Sequence, residues 1–207
     1  MSLPLGDDGV AAGTDEAGDP AVLGLFRPAP LDVVVIGSVW AAQVLALRAL
    51  GAGAMVIVES ARPRCWAPLM RGTAAGGSPS VYGVGEVPLQ SQDLPGPFLV
   101  VRDCGAQPPR SRLARAPWQA VLTLLPFLGR QAAGLPAAAE LVGIQRVSPQ
   151  EVQVLARTLQ LTREQAAALP GLDDDAMLWA TARHRRFVRL APSAAETELL
   201  GGARRID

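Results

Sequence analysis

Residues 32–59, DVVVIGSVWAAQVLALRALGAGAMVIVE, decide the fold. Asp32–Ile36 is a short, mostly β-branched run of the kind that fills a buried strand. Gly37 gives a sharp exit, and Ser38 can cap the amides of a following helix. Val39, Ala42, Ala46, Ala49 and Leu50 recur at helical spacing, while Gln43 and Arg48 are placed to escape that apolar face. Gly51 and Gly53 end the helix, and Met55–Val58 forms a second strand. The stretch is one parallel βαβ unit. A membrane span over the same residues would put Gln43 and Arg48 near the bilayer centre, at a cost of about 2.5–3.5 kcal/mol for the arginine alone. No transmembrane segment is therefore expected.

Outward from this unit the chain alternates. Residues 1–30 carry Gly, Asp, Pro and Ala with little periodicity and read as a flexible leader. Pro63 stops any strand after Ser60. A long Gly/Pro connection over 71–97 holds a short strand or hairpin arm at Val81–Val87. Phe98–Arg102 is a third strand, followed by a Pro/Arg loop. Trp118–Leu125 fits either strand or helix, and its bracketing prolines favour strand. Gly129–Ala139 reads as an alanine-rich helix weakened by Gly134 and Pro136, and Leu141–Val147 as another strand. Ser148-Pro149-Gln150-Glu151 has the form of a capping box, and Thr162–Gln165 repeats it. Ala176–Ala182 and Arg186–Leu190 form a hairpin with Arg183-His184-Arg185-Arg186 at its turn. Ser193 caps a last helix through Leu200, and residues 201–207 should fray. Strand alternating with helix predicts an α/β fold: a Rossmann-like three-layer sandwich with a mostly parallel sheet and a C-terminal β-hairpin, one domain over 31–200.

Composition narrows the chemistry. The 207 residues are 49% hydrophobic and 18% charged, which excludes general disorder. All 19 basic residues are arginine. Without lysine there is no Walker A phosphate loop and no Schiff-base chemistry. The formal net charge is zero, which argues against a nucleic-acid partner, and a solvated turn accounts for the arginine cluster. Cys65 and Cys104 have no CxxC spacing and His184 is the sole histidine, so no metal site and no catalytic triad is expected. Asp173-Asp174-Asp175 reads as a solvated loop, and Cys104 as a structural thiol. The N-terminus lacks the apolar core of a signal peptide, so the expected location is cytoplasmic.

The dinucleotide template can be laid on the first βα turn. Gly37 takes the first glycine position, Val39 the second and Ala42 the third, and Glu59 lies where a ribose-binding acid belongs. Val39 and Trp40 put bulk where the backbone must approach phosphate. Gly37, Ser38, Glu59 and Arg62, with Asp103 nearby, are the residues a nucleotide would use at the carboxyl ends of the strands.

Residues 141–200 carry a strand ending in Gln145-Arg146, a helix pair joined by LTREQA, a hairpin ending in RLAPS, then Glu196. This order resembles the tail of the motor fold in conjugation-type secretion ATPases, and EccE-like regions of type VII secretion clusters in GC-rich actinobacteria. The resemblance implies a motor-like α/β shape without the hydrolysis site. Two expectations follow. The first is a non-catalytic interaction or scaffold module without cofactor, serving secretion or conjugation machinery through protein partners, cytoplasmic or peripheral at the inner membrane face. The alternative is a Rossmann-like nucleotide-binding enzyme or sensor with its ligand near Gly37 and Glu59.

Overall fold

A computed structural model describes residues 9–72, 77–88, 96–109, 111 and 113–205. The remaining parts of the expected leader, the 71–97 connection and the tail lie outside the described residues. The strands are β1 (Val10–Asp15), β2 (Pro20–Leu23), β3 (Leu31–Ile36), β4 (Met55–Ser60), β5 (Ser80–Tyr82), β6 (Phe98–Asp103), β7 (Gln119–Leu125), β8 (Leu141–Ile144), β9 (Ala176–Ala180) and β10 (Arg185–Arg189). The helices are α1 (Val39–Gly51), α2 (Ala67–Arg71), α3 (Leu135–Ala138), α4 (Pro149–Thr158), α5 (Arg163–Ala168) and α6 (Ala194–Leu200). All ten strands join one sheet in the order β2-β1-β10-β9-β8-β3-β7-β6-β4-β5. From β8 to β5 neighbouring strands run parallel, and from β8 to β2 they run antiparallel. The mostly parallel α/β sandwich expected from the sequence is the observed fold.

The central strand β3 lies between β7 and β8, buried on both faces, as its Val/Ile run requires. One face carries the larger core, built on α1 with Trp40, Trp66, Leu45 and Leu99. The other carries Ile36, Ile144, Leu155 and Leu169 beneath α3, α4 and α5. Ser38 caps α1 as expected, accepting from the Ala41 amide at 3.2 Å. Capping boxes form at Ser148–Glu151, Thr162–Gln165 and Ser193–Glu196.

Four departures have clear physical causes. Residues 10–23, expected in a leader, form the β1–β2 hairpin that extends the sheet beyond β10. Val10, Ala12, Ala21 and Leu23 are buried, but a register shift between Ala11 and Gly13 interrupts the period-two pattern. Gly13 sits at φ +143°, and a Cβ there would lie 1.7 Å from the Arg189 carbonyl oxygen. The helix expected over 129–139 is a 3₁₀ turn, Arg130–Ala132, and the four-residue α3, split at Gly134 and Pro136. Gln43 and Arg48 do not escape to solvent. Gln43 is fully buried and donates to the Cys65 carbonyl at 2.7 Å. Arg48 ties α1 to α6 through Glu196 at 2.6 Å and to the Leu190 carbonyl at 2.7 Å. Finally, residues 201–205 are pinned instead of fraying, with Trp40 Nε1 donating to the Gly201 carbonyl at 3.1 Å and Ala203 packing on the core.

The packing of β8 against β9 gives a direct stability prediction. A Cβ on Gly143 would meet the Trp179 ring at 2.6 and 2.7 Å, and Trp179 is fully buried. Gly143→Ala is expected to cost about 1–3 kcal/mol in urea unfolding, because a rigid indole cannot yield without displacing its neighbours.

Candidate functional site

The carboxyl ends of the parallel strands gather the polar groups. β3 leads into α1 on one face, whereas β7 leads into α3 on the other, so the sheet's topological switch point lies between β3 and β7. The turn from β3 to α1 is only Gly37 and Ser38. The buried Gln145, just beyond β8, reaches into it. Its Oε1 accepts from the Ser38 amide at 2.7 Å and the Ser38 hydroxyl at 3.0 Å, and its Nε2 donates to the Asp174 carbonyl at 2.6 Å. A carboxamide oxygen therefore holds the place at the helix N-terminus where an anion's oxygen would bind.

Gln145, not Val39 or Trp40, fills the entrance. Val39 and Trp40 are buried in the α1 core, with the Trp40 indole turned toward Gly201. The C-terminal tail then crosses the same spot. Arg205 donates to the Arg146 carbonyl at 2.6 Å and to the Pro126 carbonyl at 2.9 Å. These carbonyls follow β8 and β7, the two strands that flank β3, so the guanidinium spans the ends of the two neighbours of β3.

Glu59 and Arg62 belong to a different group. β7 and β6 separate β3 from β4, which puts their ends about 14 Å apart at ordinary strand spacing. The dinucleotide template expects the acid on the strand next to the first, and here two strands intervene. Glu59 is 1% exposed and accepts from Arg102 Nε at 2.5 Å and the Gly85 amide at 2.8 Å. Burial pushes its carboxyl up, but the Arg102 guanidinium, the Gly85 amide and the Ser111 hydroxyl together hold it below the ordinary glutamate value. Asp103 ends β6, fully buried, and accepts from Arg62 Nε at 3.1 and 3.0 Å, Ser60 Oγ at 3.0 Å and Trp66 Nε1 at 3.0 Å.

The remaining candidates have other roles. Burial and the nearby Glu59 charge push the Cys104 thiol up to about 11, so it is protonated and a poor nucleophile at neutral pH. Asp173 and Asp175 pair with Arg189, and Asp174 with Arg146. His184 lies on the β9–β10 turn, at the opposite end of the sheet.

No protein-family profile and no curated protein sequence matches this chain. Solved structures do. The fold is similar to that of VirB4. VirB4 of Thermoanaerobacter pseudethanolicus superposes with a TM-score of 0.67 at 9% identity, covering 95% of this chain and 100% of that one. The genome packaging NTPase B204 of Sulfolobus turreted icosahedral virus 2, in complex with AMPPCP, superposes at 0.54 with 10% identity, over 79% of this chain and 98% of its own. The same NTPase in complex with ATP-gammaS gives 0.53 at 8% identity. The resemblance of residues 141–200 to secretion ATPases thus extends to the fold of nearly the whole chain, and the EccE-like resemblance gains no support. The expected non-catalytic scaffold without cofactor is corrected by the same finding: the fold is shared with NTPases solved with nucleotide analogues, which favours the nucleotide-binding alternative. Among the described residues, no helix is long and apolar enough to cross a membrane.

Sequence reasoning placed Gly37 and Ser38 at the turn from β3 to α1, where the structure has them, but did not single out Gln145 or Arg205. One signal for Gln145 is present, a lone glutamine closing the apolar run LVGI. Arg205 lies in a Gly/Arg tail with no periodicity and carries no such signal.

Proposed function

We propose that this protein binds a nucleotide at the carboxyl end of β3, with a phosphate taking the position of Gln145 Oε1 between the α1 N-terminus and Arg205. The observation that carries this reading is the convergence of capped helix amides, a displaceable neutral acceptor and a guanidinium at the end of the central strand. Arg205 would supply the positive charge that lysine gives a Walker A loop, and the helix N-terminus the amide donors. Asp103 is the acid nearest in the fold to a Walker B role. Arg62, about a third exposed on the far side of the same sheet end, is within reach of the distal part of an extended nucleotide, whereas Glu59 stays buried against Arg102. The VirB4-like fold supports work beside a secretion machine at the inner membrane face.

A thermal-shift series with ATP, ADP, NAD, NADP and S-adenosylmethionine, with and without Mg²⁺, tests the proposal. Ligand at about 100 times its dissociation constant stabilises by about 2.7 kcal/mol, which is a rise of several degrees for a domain of this size. Arg205→Ala should weaken the effective nucleotide about tenfold, the usual effect of losing one charge-assisted contact. No shift with any nucleotide would refute the reading.

A further inference from the structure

At the opposite end of the sheet lies a second cleft, of about 800 Å³, which the β3-end site does not involve. Its walls come from Arg27 ahead of β3, the end of α4 and the β9–β10 turn. Arg27, Arg183, His184 and Arg185 line it against a single acid, Glu140. Arg185 is committed to the fold, donating to the Leu159 carbonyl at 3.1 Å, where it caps the end of α4, and to the Thr181 carbonyl at 2.7 Å. The other two arginines are less spent. Arg27 meets Glu140 only at 3.6 Å, and its buried Nε has no partner among the described residues. The exposed Arg183 bonds only through its backbone amide, and its guanidinium has no partner among the described residues.

The turn that presents Arg183 is built to hold still. Thr181 Oγ1 accepts from the amides of Arg183 at 3.3 Å and His184 at 3.1 Å. With both lone pairs used, its hydroxyl proton is left to donate into the cleft. We propose that this cleft binds a small anion carrying two or more linked phosphates, held by Arg27 and Arg183 with Thr181 and His184 as further donors. Linked phosphates suit a cleft that both arginines line from opposite sides: β8 lies between β3 and β9, which puts those two strands about 10 Å apart. A concave site of this volume suits a small molecule and excludes a duplex.

Calorimetric titration of the full chain with tripolyphosphate, pyrophosphate and orthophosphate tests this. Tripolyphosphate should bind saturably and orthophosphate most weakly. Arg183→Ala and Arg27→Gln should each weaken tripolyphosphate about tenfold, as expected for one charge-assisted contact. The component of tripolyphosphate binding that Arg183→Ala weakens should be the same in Gln145 and Arg205 variants, which separates the cleft from the β3-end site. The Arg183 side chain makes no hydrogen bond or ion pair among the described residues, so its variant tests binding without a folding defect. The proposal is overturned if tripolyphosphate shows no saturable binding by about 5 mM. It is overturned equally if neither arginine variant weakens binding, or if a single-stranded oligonucleotide lacking terminal phosphates binds more tightly with the same Arg183 dependence.

Discussion

Replacing Arg102 by methionine should destabilise the protein by about 3–5 kcal/mol in urea unfolding, because it leaves the Glu59 carboxylate buried without its counter-ion. The pair is nearly dry, with side chains 7% and 1% exposed and Nε 2.5 Å from Oε2. The guanidinium also holds the Ser111 carbonyl at 2.8 Å and hydroxyl at 2.6 Å, so its loss frees Ser111 from β6. The pH dependence should change sign. In the native protein the folded-state value of Glu59 is held below its unfolded one, so its contribution is complete above about pH 4.3 and is lost as pH falls through the lower folded value. Without Arg102, burial, the largest influence, is opposed only by the Gly85 amide and the Ser111 hydroxyl, and the folded value is expected to rise above the unfolded one. Stability then falls as pH rises from about 4.3 through that raised value. Arg102→Met combined with Glu59→Gln should recover much of the loss, since no buried charge is then stranded.

Gln145→Ala should cost about 2–4 kcal/mol and at the same time improve nucleotide binding about tenfold. The loss follows from two hydrogen bonds to Ser38, one to the Asp174 carbonyl and a buried volume left empty. The gain follows because the phosphate no longer competes with a bound carboxamide. Gln145→Glu separates the two effects. Its carboxylate can accept from the Ser38 amide and favours the helix N-terminus, so it keeps the position occupied by an anion and should abolish binding. Equilibrium unfolding and nucleotide titration of the three proteins measure both quantities.

Strands β3, β4, β6, β7 and β8 were legible because each is a short, mostly apolar run, and Gly37 and Pro126 close β3 and β7. The N-terminal hairpin was not, because its bulge at Ala11–Gly13 breaks the alternation within a six-residue strand. Trp118–Leu125 resolves as the strand its flanking prolines favoured. Spacing placed Glu59 correctly at a strand end but could not reveal that β6 and β7, later in sequence, insert between β3 and β4. Gln43 and Arg48 misled for a related reason: polar residues facing a core find partners 22 and 148 positions away, Cys65 and Glu196. Gln145 meets Ser38, and Arg205 the carbonyls that follow β7 and β8, only through strand order, which no local pattern encodes.

The most direct test follows two resonances during a nucleotide titration, the Ser38 backbone amide and the Gln145 side-chain amide. If phosphate displaces Gln145 Oε1 from the α1 N-terminus, both should shift saturably with one dissociation constant, and Arg205→Ala should raise that constant. A nucleotide that binds while both resonances stay still would contradict the account.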